Sequence, residues 1–180
     1  MTRPLLFTPW RVRDVECRNR VMISPMANYS AQDGVVGDWH LVHHGKLAVG
    51  GAGIVIAEAT AVTREGRITN GCAGLWDDKH IAPWKRCADF MRAQGAVPGI
   101  QIGHGGRKAS MQRAFDGNGP LTPEDVARGE EEWQPVGPTA EPIDEGYLTP
   151  RAFTTSELKG LTDDWVAAAG RIKELRSEVT

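Results

Sequence analysis

Cysteine is scarce in this chain. Cys17, Cys72 and Cys87 are the only three among 180 residues, they lie far apart, and no Cys-x-x-Cys spacing occurs. An odd number of widely separated thiols argues against a disulfide framework and against a thiolate zinc site, and it fits a reducing, cytoplasmic setting. Charge of one sign is also lacking: 21 Lys and Arg balance 23 Asp and Glu for a net charge of −2, and the basic residues are scattered. A nucleic-acid surface, which needs a clustered basic face, is therefore not expected. Long apolar runs are absent too. The most apolar stretch, Ala52 to Val62, is interrupted by Glu58 and falls well short of the ~20 residues that span a bilayer. The opening residues Met1 to Phe7 carry a charge but no apolar segment of signal-peptide length. What is present, 41% apolar and 24% charged residues, describes one ordinary globular domain long enough to bury a real core.

The patterning predicts an α/β fold. Arg20 to Met26 reads as a short apolar strand closed by Pro25. Asp38 is placed to cap a helix over Trp39 to Val49, and Gly50-Gly51 stops it. Gly53 to Ala59 is a nearly continuous apolar run, the pattern of a strand buried on both faces. Ile81, Trp84, Ala88 and Met91 make one helical stripe ended by Gly95, and Val97 to Ile102 gives a third strand. Strands alternating with helices imply parallel pairing through crossovers. Residues 103–153 break this rhythm with six prolines and the acidic run Glu130-Glu131-Glu132. A loop so long in a compact domain reads as functional, here an active-site loop. Thr154 and Glu157 then form a capping-box pattern ahead of the stripe Leu158, Leu161, Trp165, Ala168, Ile172, Leu175.

Three groups fall at the C-terminal ends of the predicted strands: Ser24 to Tyr29, Glu58-Ala59-Thr60, and Gln101 to Lys108. Ligands of parallel α/β folds bind at that edge, where loops and helix N-termini converge. The third group is rich in glycine and base, but it lacks the lysine-serine signature of a nucleotide phosphate loop. Taken singly, each group also has a plain structural reading. Pro25-Met26 is ordinary strand punctuation, Gln101 a strand-end amide, and Tyr29 a packed surface aromatic. His40, His43 and His44 share helical spacings that can hold zinc, yet no carboxylate accompanies them in a zincin pattern, and no metal is expected. His104 either touches substrate or bonds its own loop.

Taken together, the groups resemble one family. Asn19-Arg20-Val21 to Ser24-Pro25-Met26, Tyr29, Gly51-Ala52-Gly53 leading to Glu58-Ala59-Thr60, Gly66-Arg67, and Gly99 to Ile102 with His104 to Lys108 are similar, in order and spacing, to the old yellow enzyme family of NADH:flavin oxidoreductases. The bacterial branch with the xenobiotic reductases is nearest, and the likeness runs from about Leu6 to about Lys173. It implies the N-terminal part, about three βα units, of a (β/α)₈ TIM barrel that holds FMN non-covalently and uses NAD(P)H as reductant. By this resemblance residues 1–20 form an N-terminal cap, 21–102 the first three strands with two helices, 103–153 an active-site loop and 154–177 a third barrel helix. Ser24, Pro25, Met26 and Ala27 pass along the isoalloxazine ring, Ala59 leaves room for it, Gln101 meets its pyrimidine edge, and Tyr29 lines the substrate pocket. Ala27 stands where the branch often has cysteine or threonine.

The resemblance also assigns no catalytic residue within these 180 residues, because the family's histidine pair and proton-donor tyrosine come after the fourth strand. From Glu174 onward the likeness stops, which suggests a truncated or frameshifted reading frame. The expected function is an FMN-dependent ene-reductase that passes a hydride to an activated alkene, represented by its N-terminal fragment. The alternative is a non-catalytic remnant, or a flavin- or protein-binding fragment. Self-association is expected for an unclosed sheet.

Overall fold

The computed structural model describes residues 3–176. The chain opens with a hairpin, β1 (Trp10–Val12) against β2 (Val15–Cys17), in antiparallel register. Its turn uses Arg13, at φ 52, and Asp14 instead of Asn-Gly or Asp-Gly, so the usual hairpin signal is missing from the sequence. Just beyond it, Arg18 donates to the carbonyls of Ala48 (2.6 Å), Ala52 (3.0 Å) and Gln94 (2.7 Å). One guanidinium thus gathers carbonyls from the C-terminal end of one helix, from the loop just beyond it and from the end of a second helix, where backbone acceptors outnumber donors.

The main sheet is parallel, in the order β3 (Met22–Ile23), β4 (Ile54–Ala61), β5 (Val97–Gly103). Pairing in β3 is confined to two residues, because Ser24-Pro25 ends the ladder and proline has no N–H to give. Helix α1 (Asp38–Val49) leads to β4 and α2 (Ile81–Ala93) leads to β5. Gly37, not Asp38, is the N-cap of α1. Asp38 is instead the first helical residue and pairs with Arg86, a favourable place for an acid near the helix N-terminus.

One face of the sheet is covered. Val55 and Ala57 of β4 are fully buried, while Ile100 and Ile102 of β5 pack on the same cluster as Trp84, Cys87 and Leu75. A second cluster gathers Val55 with Ala48, Ala52, Met91 and Ala96. The opposite face is not covered: Ile54 and Ile56 are half-buried, and no residue of β5 is fully buried. The two-sided burial expected for Gly53 to Ala59 is therefore corrected to one-sided burial. The helices supply one apolar layer, and among the described residues nothing supplies the other.

Residues 104–150 are not structureless. They hold single 3₁₀ turns, a short helix α3 (Pro123–Ala127) capped by Thr122, and the first strand of a small parallel pair, β6 (Val136–Gly137) with β7 (Arg151–Ala152). The acidic run is largely neutralised: Glu130 pairs with Arg113, and Glu131 with Arg64 and Arg67. The final helix, α4 (Thr155–Glu174), has Thr154 as N-cap, with Glu157 accepting from the Thr154 N–H at 2.8 Å. Of its stripe, Ala168 and Leu175 are buried, Leu161, Trp165 and Ile172 are half-buried, and Leu158 is exposed. The last residue of the segment read as 154–177 lies outside the described residues.

Candidate functional site

A bulge in β4 sets the geometry of the sheet's C-terminal edge. Register runs Ile56 with Gly99 and Ala57 with Ile100, and then jumps to Ala59 with Gln101, leaving Glu58 unpaired. Alternation along a strand would place Ala59 on the helix-covered face with Val55 and Ala57. The extra residue reverses that. Ala59 and Gln101 therefore stand side by side on the open face, continuing the row of Ile56 and Gly99.

Both residues line a cleft of about 210 Å³ at the strand ends, together with Gly66, Arg67, Cys72 and His104. The Gln101 side chain is exposed and has no hydrogen-bond partner among the described residues. Of the other candidate residues, Pro25 and Tyr29 are half-buried and Ser24, Met26 and Ala27 are exposed. They follow β3 and are not part of the cleft wall. Tyr29 adopts a left-handed backbone, φ 51, uncommon for a bulky residue. Its ring meets Phe115 edge-on at 6.4 Å.

Arg67 is only 2% exposed. Its guanidinium lies 4.6 Å from the centre of the Trp133 ring and 5.8 Å from that of Trp76, and its Nε donates to the Arg64 carbonyl at 2.8 Å. Burial pulls its pKa down, yet an arginine stays charged at any ordinary pH. His104 fits both of the roles open to it from sequence. Its Nδ1 accepts from the Gly106 N–H of its own loop at 3.0 Å, and the residue also lines the cleft, with Nε2 buried and unpartnered. Burial lowers its pKa. Neither Arg67 nor Cys72 was assigned a role from sequence. The signal was the Gly66-Arg67 pair, where a Cβ on Gly66 would sit 2.5 Å from the His104 ring.

Behind the sheet, the bulged Glu58 is 1% exposed. Its Oε2 accepts from the backbone N–H of Asn28 at 3.2 Å and from the Asn28 side-chain amide. Burial pushes its carboxyl up, while hydrogen bonds from Asn28 and from the Tyr29 backbone act against that shift. His40 Nε2 lies 3.9 Å from Glu58 Oε1. Burial lowers His40 and His44 to about 4, so both are neutral near pH 7. Among the described residues, no cluster of three His, Cys, Asp or Glu is placed to hold a metal.

A family profile described as NADH:flavin oxidoreductase / NADH oxidase matches residues 5–177. The chain belongs to this family. As a member of the NADH:flavin oxidoreductase family, it is 36% identical over 171 residues to an NADPH dehydrogenase of Bacillus velezensis, an alignment covering 94% of this chain and 45% of the relative. It is 40% identical over 170 residues to an NADH:flavin oxidoreductase of Gibberella zeae, covering 92% of this chain and 40% of that protein. Among solved structures, morphinone reductase superposes with a TM-score of 0.77 at 27% identity, over 97% of this chain and 46% of the other. A 2-naphthoyl-CoA reductase complex gives 0.77 at 26% identity, over 95% and 26%. An old yellow enzyme homologue from Zymomonas mobilis matches with a TM-score of 0.74. The family chain therefore spans less than half the length of these relatives, and its strand–helix units are part of the barrel that such oxidoreductases share.

Proposed function

We propose that this chain supplies part of the flavin bed of an FMN-dependent NAD(P)H oxidoreductase of the ene-reductase type. The observation that carries the proposal is the bulge at Glu58, which brings Ala59 and Gln101 together on the open face of the strand ends. The residues present suit a flat heterocycle. Ala59 offers a surface without bulk, a Cβ at Gly103 would meet nothing within 4 Å, and Gln101 keeps an uncommitted amide. That amide both donates and accepts, as the alternating donors and acceptors of a pyrimidine edge require.

When bound, FMN supplies the redox chemistry, accepting a hydride from NAD(P)H and delivering one to an activated alkene. The chain's own residues bind and orient. Ser24, Pro25, Met26 and Ala27 run along the ring, where backbone groups can stabilise charge at its redox-active edge. Tyr29 lines the substrate side, and no residue of this chain is assigned as a catalytic acid. We read residues 1–180 as a single partial barrel domain, with 103–153 as the loop over the site, acting in the cytoplasm. In support of that setting, all three cysteines are free and buried. No helix among the described residues is long and apolar enough to cross a membrane.

A second reading rests on the uncovered Ile54–Ile56 face: the chain binds flavin or a protein without turnover. A coupled assay separates the two. A stoichiometric bound-flavin spectrum with NAD(P)H oxidation supports the oxidoreductase, bound flavin without oxidation supports the second reading, and neither signal overturns the flavin bed.

A further inference from the structure

The bulge that turns Ala59 outward turns Glu58 inward, and the carboxylate does not lie idle there. It accepts from the Asn28 backbone N–H at 3.2 Å and from the Asn28 side-chain amide. Asn28 is itself a junction: its side-chain amide also donates to the Met26 carbonyl at 3.2 Å, and its Oδ1 accepts from the Trp39 indole at 3.4 Å. Ser30 Oγ donates to the Asn28 carbonyl at 2.9 Å. Every one of these bonds closes on the loop that follows β3. The next residue, Tyr29, is held at φ 51, a conformation that L-residues other than Gly, Asn and Asp seldom adopt without support.

From the far side, α1 completes the enclosure. His40 Nδ1 accepts from the Gly37 N–H at 3.2 Å, which assigns the proton of the neutral ring to Nε2. That N–H faces Glu58 Oε1 across 3.9 Å. The other His40 neighbours are aromatic: His44 at 6.5 Å and Trp84 at 6.2 Å between ring centres.

We propose that Glu58 is a positioning residue, whose buried carboxylate holds the Pro25–Tyr29 loop and keeps Tyr29 in its left-handed conformation, aimed at the substrate side of the site. The assignment of Tyr29 to that side rests on the flavin-bed reading, whereas the grip of Glu58 on the loop does not. Two parts of the site thereby depend on one insertion in one strand. The bulge sets the ring-facing row directly and sets the substrate-facing loop through Glu58.

Amide hydrogen exchange on the full chain without flavin tests the grip, with peptides from α2 as internal control. Glu58→Gln keeps the shape but replaces an acceptor oxygen with a donor. It is expected to accelerate exchange at Asn28 and Tyr29 by roughly tenfold or more, the equilibrium weight of one lost charge-assisted hydrogen bond, and to leave α2 protected. Adding Tyr29→Gly, which adopts positive φ freely, should recover part of the Asn28 protection, a rescue that general core damage would not show. Unchanged exchange at both amides, or no rescue by glycine, overturns the proposal. If Glu58→Gln also strips protection from α2, the Asn28→Ala variant decides instead: faster exchange at Tyr29 supports the grip, and unchanged exchange refutes it. A parallel FMN fluorescence titration of the wild-type chain keeps the readings apart. Absence of binding there removes the flavin bed and leaves the exchange result standing.

Discussion

At Gln101 the amide faces the cleft with no partner among the described residues, so its contribution should show in ligand affinity and not in folding. If FMN binds, Gln101→Ala should weaken it by about 1–3 kcal/mol, the cost of stranding buried polar edge atoms. Ala27→Cys, on an exposed stretch of the β3 loop, should change it far less. Equal affinities for the two variants by fluorescence titration would contradict the assignment. Acid stability tests a different set of side chains. His40 and His44 are lowered to about 4 by burial, while in the unfolded chain a histidine binds its proton near pH 6.5. Between those values the unfolded state holds more protons, so stability is complete above about pH 6.5 and is lost as pH falls towards 4. Each histidine accounts for on the order of 3 kcal/mol across the whole window. Glu58, raised by burial, acts in the opposite sense and offsets part of this as it takes up a proton. Urea titrations at pH 7 and pH 5 should show a lower midpoint at pH 5. His44→Leu should flatten that difference without lowering stability at pH 7, because neither ring nitrogen of His44 has a partner among the described residues. An equal pH dependence in both chains would refute the account.

Among the elements, Arg18 carries the sharpest test. It ties the ends of α1 and α2 to each other, so Arg18→Ala should cost about 2–3 kcal/mol, as charged hydrogen bonds to helix-end carbonyls typically do. Thermal or urea unfolding would measure it, and a loss below about 0.5 kcal/mol, ordinary for surface substitutions, would show that the carbonyls find other partners. Nothing in the sequence around Arg18 announced this role, because the partners lie 30 to 76 positions away. The elements that were legible are those whose signals are local. The α2 stripe of Trp84, Ala88 and Met91 is buried, and Thr154 caps α4 with Glu157 reaching back. Gln101 and Ala59 could be singled out from motifs, but their adjacency could not, since it depends on a bulge that apolar patterning does not reveal. The β1–β2 hairpin went unseen for want of turn glycine or asparagine, and the Gly37 cap because Asp38, the stronger capping type, stood next to it.

For the whole molecule, three parallel strands leave both sheet edges and one face without a cover among the described residues. Parallel edges of this kind present unpaired backbone groups that other chains can satisfy. Expressed alone, the 180 residues should self-associate or precipitate. A monodisperse, cooperatively melting monomer at micromolar concentration, seen by light scattering and calorimetry, would show that the open face is stable in water. Turnover should also be poor. Of the five histidines, only His104 lines the cleft; His40 and His44 lie behind the sheet. Without a preorganised pair of donors for the substrate's carbonyl, reduction of cyclohexenone should run about 10²–10³ below that of a full-length family member. Comparable rates would sink that expectation. The α/β class was legible because alternating strands and helices dictate parallel pairing, and the barrel followed from the family resemblance. The uncovered face was not, since a sequence pattern records what a strand is built to bury and not what is present to bury it.

The bulge at Glu58 finally bears on how this segment tolerates change in length. Removing that one residue would restore plain alternation to the strand. Ala57 with Ile100 would then be followed directly by Ala59 with Gln101, so Ala59 and every later position of β4 would keep their present facing, and only the inward carboxylate of Glu58 would be lost. A one-residue gap placed at Glu58 when relatives are aligned therefore keeps the ring-facing row and removes the grip on the Pro25–Tyr29 loop, whereas a gap between Ile54 and Ala57, where pairing is one to one, would exchange inside for outside.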